Sequence, residues 1–537
     1  MNFLRQYWIL ILLALPFFVA LDDSSVWDSS EAYYAQTPRE MVQRGDWVVP
    51  YFNGQPRLNK PPLAYWVVAP FYKFFGVSLF WERLVLAILA YGCVLAVFVN
   101  GRILFDHRIA LLAAGIFATT FRFMILARRL LVDTLLLFCL LWAIAYFFWW
   151  LKSHYRMHFI ASSVFFGLAF LSKGPVAFLP IIFLGSYLLL SGRFKQLAKA
   201  PLVIGGGIYI ALCSFWFLLL GFEVGWQPII NFFIEENVNR FVSIELGPRR
   251  AYHYYLGVFV GDFFPWSLFF IAAIIESFRD EKLRPKHAML LGLWFATYFL
   301  FFSLSYNKQE YYIAPLYPAA ALWVAYYLCR RLPPRLLVAV IGVIFLILGG
   351  VFWVILEVLF DEALLWIPLL FLPIVIVGLL RGHYALAVLA FILFYAGSFS
   401  LYLKPWETFK PVTHFAQTIN RITSEATEET DQIEVGYYKL AAPSLTFYLD
   451  RQIVELSDLE TALALLKSND TVYLIVSSEG YKELNAIEGL VLRIVETRPK
   501  LYTTARTLIE GFRRGRSNTF QENWVRPVYL ITNVRDG

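Results

Sequence analysis

The sequence predicts an all-α polytopic membrane domain followed by a small C-terminal α/β domain. Of its 537 residues, 59% are hydrophobic and 16% are charged, whereas soluble domains are about 45–50% apolar and about 25% charged. The apolar residues are concentrated in runs of about twenty, which is enough to cross roughly 30 Å of hydrocarbon. From residue 404 onward the composition changes to short segments rich in β-branched and aromatic residues. A large soluble helical protein would instead show amphipathic stripes.

We expect about thirteen membrane spans within residues 1–403. Their centres fall near residues 14, 90, 117, 141, 165, 182, 211, 265, 296, 319, 346, 371 and 393. The first apolar run, from Tyr7 to Leu21, is not followed by a small-residue cleavage site, so we interpret it as a retained span. The four cysteines lie inside apolar runs without zinc-type spacing, which indicates small buried hydrophobes and neither disulfides nor a metal site.

The distribution of basic and acidic residues predicts the orientation of the chain. With the N-terminus in the cytoplasm, every even-numbered loop is basic and the acids collect in the opposite loops, as the excess of Lys and Arg in cytoplasmic loops requires. The long first loop, residues 22–79, then lies on the outer face. An odd number of spans places residues 404–537 on that face as well. The net charge of +7 reflects these loops and does not indicate a nucleic-acid partner.

The segment 404–537 alternates between predicted strands and predicted helices. Strands are expected in the runs that begin at Ile433, Leu445, Val472 and Val525, and Pro527 indicates an edge position for the last of them. Helices are expected over residues 409–426 and 456–467, the second opened by a capping-box pattern at Ser457. Because no Gly-rich phosphate loop is present, we assign no nucleotide and interpret the domain as a scaffold or an acceptor-docking module.

The first loop is too long for a tight turn and predicts two helices along the outer membrane surface. Residues 29–44 have helical periodicity, and Pro61-Pro62 can open a second helix. Asp28 and Glu31 are three residues apart and can share one helix face. Two acids that meet there would repel each other and raise one pKa, which suits a general base. The alternative is a helix cap followed by a first-turn acid that the helix dipole stabilises.

Several cations lie at or near the outer ends of the predicted spans, against the usual bias of basic residues toward the cytoplasm. They are Lys60, Arg128, Arg129, Lys173, Arg240 and Lys308. Such a group fits recognition of a phosphate-bearing lipid at the outer leaflet, although a single lysine there can also extend toward the headgroups.

Asp133 enters an apolar run, where a carboxylate is costly unless it is paired. It is therefore a candidate for function, with a purely structural ion pair to Arg128 or Arg129 as the alternative.

Seven segments between residues 28 and 318 resemble the bacterial lipid-linked-sugar glycosyltransferases of the GT-C type. Within that type the chain is similar to the lipid A aminoarabinose transferases and to the protein-mannosyltransferase-like group. The segments are EAYYAQTPREM from Glu31, GDWVVP from Gly45, KPPLAYW from Lys60, LSKGP from Leu171, FFIEENVNRF from Phe232, FPW from Phe264 and KQEYYIAPLYP from Lys308. The C-terminal domain also fits, because aminoarabinose transferases carry an α/β domain on the outer side.

The resemblance implies the GT-C fold, the bacterial inner membrane, and transfer of a sugar from an undecaprenyl-phosphate carrier to an acceptor at the periplasmic face. Lys60 matches a lysine near the carrier phosphate, and Tyr34 and Tyr312 match tyrosines at that site. Arg240 falls in a matching basic stretch, and Asp133 matches a second acid of the fold. The implied partners are the polyprenyl-phosphate sugar donor, a lipid or glycan acceptor such as lipid A, and membrane lipids.

Three positions depart from the pattern of the family. Its Asp-Glu pair aligns with Ser30 and Glu31, so the first acid is missing and Asp28 is the candidate replacement. An acid and a histidine that bind metal in some aminoarabinose transferases are Asn59 and Asn237 here. Neutral amides are poor zinc ligands, so we expect no cofactor and no metal at these positions, with a divalent metal bound elsewhere as the open alternative.

We therefore expect a glycosyltransferase in which Asp28, Glu31 and Asp133 supply the catalytic acids. The carrier phosphate and substrate are then bound by Tyr34, Lys60, Arg128, Lys173, Arg240, Lys308 and Tyr312. A protein O-mannosyltransferase-like enzyme remains an alternative. A lipid or solute transporter would favour inverted repeats and midplane acids, neither of which stands out, and a non-catalytic scaffold is the third interpretation.

Overall fold

The computed structural model describes most of the chain. It covers residues 8–28, 30–129, 131–243, 250–279, 284–333, 406–425, 433–501 and 525–534, with a few short stretches between 335 and 394. Only a few residues of the predicted spans near residues 346, 371 and 393 are described.

Helices dominate the part of the chain before residue 334. The α-helices there are Trp8–Phe18, Ser30–Arg44, Leu63–Trp66, Ala69–Phe75, Leu79–Leu104, His107–Ala118, Phe121–Arg129, Leu131–Ser153, Arg156–Lys173, Leu179–Leu190, Leu202–Val224, Gln227–Phe233, Arg240–Val242, Tyr254–Asp262, Ser267–Arg279, Arg284–Leu304 and Tyr317–Arg331. Shorter 3-10 helices cover Pro175–Phe178, Phe194–Lys199 and Glu310–Leu316, and a π-helical turn covers Ile234–Asn239.

Five of the described helices are long and apolar enough to cross a membrane, or up to seven spans if two bent helix pairs are each counted as one. The five are Leu79–Leu104, Leu131–Ser153, Leu202–Val224, His287–Leu304 and Glu310–Arg331. The apolar helices Trp8–Phe18 and Pro175–Leu190 are shorter. The multi-pass architecture is therefore present, while the expected number of about thirteen spans is not confirmed by the described residues.

The two bent pairs have identifiable local causes. His107–Ala118 and Phe121–Arg129 meet at 65°, and the break falls at Thr119 and Thr120. The hydroxyls of both threonines donate to carbonyls of the preceding turn, which bends helices. Tyr254–Asp262 and Ser267–Ser277 meet at 105° around Pro265, which cannot continue the helical hydrogen bonds.

The first loop contains the predicted helix Ser30–Arg44 and a hairpin that the sequence analysis missed. Strand β1 (Tyr51–Phe52) pairs with β2 (Gln55–Pro56). The Asn53-Gly54 turn between them has φ of 53° and 77°, the geometry that Asn-Gly favours in tight hairpins. The Glu40 carboxylate accepts both turn N–H groups, at 2.7 and 3.1 Å. The hairpin is thereby fixed to the helix.

The C-terminal domain has a five-stranded sheet between two layers of helices. The strands are β3 (Ile433–Tyr438), β4 (Val454–Leu456), β5 (Thr471–Ser477), β6 (Arg493–Leu501) and β7 (Val525–Thr532), in the order β4-β3-β5-β7-β6. β3 runs parallel to β4 and β5, while β7 runs antiparallel to β5 and β6. The helices are Pro411–Glu425, Ser444–Leu449, Leu459–Leu466 and Ser478–Asn485. Two buried clusters, one on each face of the sheet, confirm the small α/β domain.

Two expectations for this domain were wrong. The run at Leu445 is helical because Leu445 and Leu449, four residues apart, both enter the core, so tertiary packing overrides the strand propensity of the run.

The second wrong expectation concerns β7, which is an interior strand and not an edge. Its Pro527 lies beyond the stretch paired with β5, which begins at Val528, and faces Pro499 of β6. The proline therefore removes no hydrogen bond from the central ladder.

Candidate active site

A cavity of about 550 Å³ opens where the first loop meets the ends of several helices. Its polar side chains come from distant parts of the sequence, and much of its wall is apolar. The lining includes Ser30, Tyr34, Lys60, Val132, Asp133, Lys173, Pro175, Val176, Phe178, Leu179, Ile182, Phe233, Glu236, Asn237, Val238, Arg240, Phe241, Val242, Phe301, Phe302, Ser305, Asn307, Tyr311 and Tyr312. Phe178, Ile182, Val238 and Val242 are exposed apolar residues on this wall. A hydrocarbon chain can therefore lie beside the polar end of the cavity.

Two of the cations in the cavity share one carboxylate. The Lys60 Nζ lies 3.5 Å from Glu236 Oε2, and Arg240 Nη2 lies 3.0 Å from the same oxygen. Glu236 lies within the π-helical turn Ile234–Asn239, and Arg240, four residues later, directly follows that turn. Such a local distortion is frequent at functional sites. Lys60 also donates to the carbonyl of Asn59 at 2.9 Å. The wider turn thus brings the ion pair to the cavity.

Burial changes the acid–base character of Lys60. Desolvation lowers the pKa of its ammonium group to about 8, although the nearby Glu236 carboxylate opposes that change. The lysine is therefore mainly charged at neutral pH and loses its charge in mild alkali.

The third cation, Lys173, is held by an acid and two aromatic rings. It forms an ion pair with Asp133 at the start of the helix Leu131–Ser153. Its Nζ lies 5.2 and 4.9 Å from the ring centroids of Tyr311 and Tyr312, within range of cation–π attraction. The next residue, Gly174, has φ of 82° and ends the helix Arg156–Lys173. A tight backbone turn therefore directs the lysine into the cavity.

Tyr34 extends from the helix Ser30–Arg44 into the cavity and stacks on Tyr65, with ring centroids 5.8 Å apart. Burial holds the pKa of the Tyr34 phenol well above its usual value. Its hydroxyl therefore keeps a proton that it can donate to an anionic ligand.

The structure thus brings six of the predicted site residues together: Tyr34, Lys60, Asp133, Lys173, Arg240 and Tyr312. It places the four others, Arg128, Lys308, Asp28 and Glu31, elsewhere.

The two cations among them have backbone partners. Arg128 donates to the carbonyl of Pro16. Lys308 donates to the carbonyl of Ser305 and lies 5.5 Å from the ring centroid of Tyr252.

The two acids that were expected to supply a base, Asp28 and Glu31, do not line the cavity. Asp28 accepts hydrogen bonds from Ser444 in the C-terminal domain, at 2.8 Å from its N–H and 2.6 Å from its hydroxyl. Glu31 is fully buried and pairs with Arg83 at 3.0 Å. It also accepts the N–H of Trp27 at 2.7 Å, so both carboxylates are committed to structural contacts. Glu31 is the first-turn acid of the capping alternative, whereas the hydrogen bonds of Asp28 come from the C-terminal domain. The two carboxylates therefore do not form a pair that faces the cavity.

Glu236 is the site residue that the sequence analysis did not select. Glu236 could have been recognised in the sequence because it lies four residues before Arg240, a spacing that allows an ion pair on one helical face. Asp133 and Glu236 are the two carboxylates of the cavity. They replace Asp28 and Glu31 as the candidates for proton transfer.

The residues present do not fit a zinc site. The Asn237 amide donates to the carbonyl of Phe232 at 2.8 Å, and the side-chain oxygen of Asn59 is buried without a hydrogen bond. Glu236 faces two cations. Within the described part of the chain, no three His, Cys, Asp or Glu residues are grouped so that they could hold a metal ion.

Comparisons with known proteins agree with this architecture. A family model described as dolichyl-phosphate-mannose-protein mannosyltransferase matches residues 59–219. A protein of Aquifex aeolicus (strain VF5) is 29% identical over 461 residues, which cover 83% of this chain and 87% of that protein. The undecaprenyl phosphate-alpha-4-amino-4-deoxy-L-arabinose arabinosyl transferase of Pseudomonas aeruginosa (strain UCBPP-PA14) is 28% identical over 61% of this chain. That match spans 60% of the transferase's length.

The crystal structure of ArnT from Cupriavidus metallidurans bound to undecaprenyl phosphate superposes with a TM-score of 0.76. It is 21% identical in sequence, and the match covers 99% of both chains. The shared fold therefore includes both the helical part and the C-terminal α/β domain. By sequence and fold, this chain is a multi-pass membrane protein that resembles the GT-C glycosyltransferases of the aminoarabinose transferase type.

Proposed function

We propose that this protein transfers a sugar from an undecaprenyl-type polyprenyl-phosphate carrier to an acceptor at the outer face of the bacterial inner membrane. The observation that carries the proposal is the convergence of Lys60, Lys173 and Arg240 on one cavity with an exposed apolar wall. Cations suit the phosphate of the carrier, and the apolar wall suits its prenyl chain. The relatives named for undecaprenyl phosphate support the same donor.

The charge balance of the cavity favours the departure of the carrier phosphate. Three cations face two carboxylates, Asp133 and Glu236, which leaves one net positive charge. The phosphodiester of a carrier-linked sugar has one negative charge. It gains a second as the bond between the anomeric carbon and the phosphate oxygen breaks. Fixed cations therefore stabilise the transition state more than the bound donor, which is the condition for catalysis.

The acceptor oxygen attacks the anomeric carbon on the face opposite the leaving phosphate, so a single displacement inverts the configuration. A hydroxyl acceptor must lose a proton, and Asp133 or Glu236 can accept it in this cavity. A phosphate acceptor is already ionised near neutral pH and needs little help from a base. We expect lipid A or another envelope glycolipid as the acceptor. The match of residues 59–219 to a protein mannosyltransferase model makes a protein hydroxyl the second candidate.

The contacts of the C-terminal domain support its location on the same side as the cavity. Asp28 and Asn53 of the first loop form hydrogen bonds with Ser444 and Ile453 of that domain. A periplasmic reporter fused after Gly537 should be active and a cytoplasmic one inactive. An active cytoplasmic reporter would refute the orientation.

The activity can be tested with the full chain reconstituted in liposomes and a radiolabelled undecaprenyl-phosphate sugar. Lys60→Gln and Arg240→Gln should each lower kcat/KM by about 10- to 100-fold, because each removes a charged contact worth about 1.5–3 kcal/mol. Lys73→Gln, which changes an exposed cation of the same loop, is the matched control. Label recovered in the lipid extract indicates a glycolipid acceptor, and label in precipitated protein indicates the second candidate. Undiminished transfer in both site variants would refute the proposal.

A further inference from the structure

A second cavity, of about 320 Å³, lies at the other ends of three helices that line the candidate active site, Leu131–Ser153, Leu179–Leu190 and Arg284–Leu304. It is bounded by the ends of Leu79–Leu104 and Leu131–Ser153, by Tyr187 near the end of Leu179–Leu190, and by His287 near the start of Arg284–Leu304. The turn that carries Arg193 and Gln196 closes it. Four helices and a turn therefore converge on this site.

The two cavities are separated by about the thickness of a bilayer. Asp133 of the candidate active site and Lys152 of the second cavity lie on one helix, nineteen residues apart. At 1.5 Å per residue this spacing is about 28 Å, close to the roughly 30 Å hydrocarbon core. The second cavity therefore faces the opposite leaflet, which is the cytoplasmic one in the predicted orientation.

The second cavity is basic. Lys152, Arg193 and His287 line it, and none of the described lining residues is Asp or Glu. Lys152 donates one hydrogen bond to the carbonyl of Ile103, which leaves two of its three N–H donors. Neither Lys152 nor Arg193 forms an ion pair with a carboxylate in the described part of the chain. Two cations that face no carboxylate of the described residues, in a cavity between helices, suit an anion.

The surroundings indicate that this anion belongs to a lipid and is not free in solution. Leu189, Leu190 and Phe194 adjoin the cavity residues in sequence and are 65%, 63% and 53% exposed. These side chains offer apolar surface to acyl chains at the place where the basic cavity offers a phosphate site. In addition, the side-chain oxygen of Gln196 is buried without a hydrogen-bond donor, and a headgroup hydroxyl can supply one.

We propose that this second cavity binds the phosphate headgroup of an anionic glycerophospholipid in the leaflet opposite the candidate active site. The phosphate diester lies between Lys152 and Arg193, and the acyl chains extend along Leu189 and Phe194. Basic pockets between spans on the cytoplasmic side are suited to such headgroups. The site is independent of the sugar-transfer proposal, since it shares none of that cavity's residues.

The proposal can be tested by native mass spectrometry of the delipidated full chain titrated with dioleoyl phosphatidylglycerol or dioleoyl phosphatidylcholine. The wild type should bind the first phosphatidylglycerol more tightly than phosphatidylcholine. Arg193→Gln should weaken that binding about fivefold, since each basic residue near a lipid phosphate contributes about that factor. Arg193→Lys should restore most of it. Lys195→Gln, which changes an exposed cation of the same turn, should match the wild type.

Two control measurements test whether the lipid binds at the candidate active site and whether free phosphate occupies the second cavity. Lys60→Gln should leave the affinity for phosphatidylglycerol unchanged; if it weakens binding and Arg193→Gln does not, the lipid occupies the candidate active site and the proposal is overturned. Inorganic phosphate at constant ionic strength should not displace the lipid at equal concentration, and displacement would assign the cavity to free phosphate. Equal affinity of the wild type for the two lipids would also overturn it.

Discussion

The carboxylate of Asp28 accepts hydrogen bonds from both the backbone N–H and the hydroxyl of Ser444, 416 residues away in the sequence. Close by, Tyr448 accepts the N–H of Val26 at 2.6 Å. The first-loop helix begins two residues after Asp28 and carries Tyr34 into the candidate active site. The C-terminal domain is therefore attached to the same helix that positions a ligand-facing tyrosine. These contacts fix the start of that helix against the C-terminal domain.

Asp28→Asn should retain sugar transfer, whereas Asp28→Ala should reduce it. Burial raises the pKa of Asp28, so its ionised form is disfavoured at this junction, and a neutral amide can keep both contacts with Ser444. Alanine leaves a buried N–H and a hydroxyl without an acceptor, at a cost of about 1–3 kcal/mol. The unfolding midpoint and kcat, measured for both variants, check this. A loss of kcat in Asp28→Asn at unchanged stability would instead show that Asp28 acts as a base.

The raised pKa of Asp28 also predicts how its substitution changes the pH dependence of stability. An acid with a raised folded-state pKa opposes folding increasingly as the pH rises from its unfolded pKa, near 3.8, through its folded pKa. Asp28→Asn removes this titration. The difference in unfolding free energy between variant and wild type should therefore move in favour of the variant as the pH rises through and above about 3.8. A difference that is constant over this range would contradict the assignment.

Glu31→Gln should mainly lower stability. The Glu31–Arg83 pair is almost completely buried, with side-chain exposures of 1% and 6%, and the substitution leaves the guanidinium charge without its partner. Breaking such a pair costs about 3–5 kcal/mol. Arg83 also donates to the carbonyls of Leu21 and Ser25, so the loss should loosen the start of the first loop. Unfolding in detergent measures the cost. A stable variant that is inactive would return Glu31 to a catalytic role.

The pKa of about 8 for Lys60 predicts that donor binding weakens in mild alkali. A lysine binds phosphate when protonated, and the protonated fraction falls about tenfold per pH unit above the pKa. The phosphodiester of the donor keeps one charge over the same range. KM for the donor should therefore rise between pH 7.5 and 9 in the wild type. It should stay nearly constant in Lys60→Arg, because the guanidinium remains charged. If KM for the donor rose equally with pH in the wild type and in Lys60→Arg, the loss of the Lys60 charge would not be the cause.

The sequence predicted the cations of the candidate site better than its acids. Lys60, Lys173 and Arg240 were recognisable because cations at the span ends predicted to be outer oppose the cytoplasmic bias of basic residues. Asp28 and Glu31 were selected by their spacing, but spacing does not reveal partners such as Ser444 and Arg83 that lie far away in the chain. Long-range contacts therefore decided the roles of the acids.

Local distortions of the fold were also beyond the reach of periodicity. The π-helical turn at Ile234–Asn239, which presents Glu236, has the same apolar pattern as a regular helix. The break at Thr119 lies inside a run that hydropathy alone joins into one span. The α/β domain was predictable from composition, whereas the helix Ser444–Leu449 was not, because its packing against other elements determined its conformation.

Gly174→Ala should weaken donor binding through a steric effect. Gly174 has φ of 82°, and a Cβ there would lie 2.9 Å from the ring of Phe232, which precedes the π-helical turn. The displaced ring would move Glu236 and Arg240, so KM for the donor should rise severalfold. Gly76→Ala is the matched control, since Gly76 has φ of 86° and nothing within 4 Å of its Cβ position. An alanine at Gly76 has the same unfavourable positive φ as an alanine at Gly174, which costs about 1–3 kcal/mol, but it should leave KM for the donor unchanged. Equal KM values for the two variants would refute this steric role.

The two helix breaks are joined to each other, which predicts strong energetic coupling between them. Arg122, after the first break, forms two hydrogen bonds with Asp262, before the second, at 2.7 and 3.1 Å. The indole of Trp266 donates to the hydroxyl of Thr119 at 3.1 Å. Because the Arg122–Asp262 pair is largely buried, Arg122→Met or Asp262→Leu alone should cost about 3–5 kcal/mol. The double variant should be more stable than the sum of the single losses predicts.

The unfolding midpoints of the two single variants and the double variant in nanodiscs measure this coupling. The exposed pair Arg330–Asp106, 3.6 Å apart with half-exposed side chains, provides the matched comparison. Arg330→Gln and Asp106→Asn should show a coupling energy of about 0–1 kcal/mol, because solvent screens exposed pairs. A coupling between Arg122 and Asp262 no larger than that would mean that the two breaks are stable independently. The bent helices would then owe their geometry to Thr119, Thr120 and Pro265 alone.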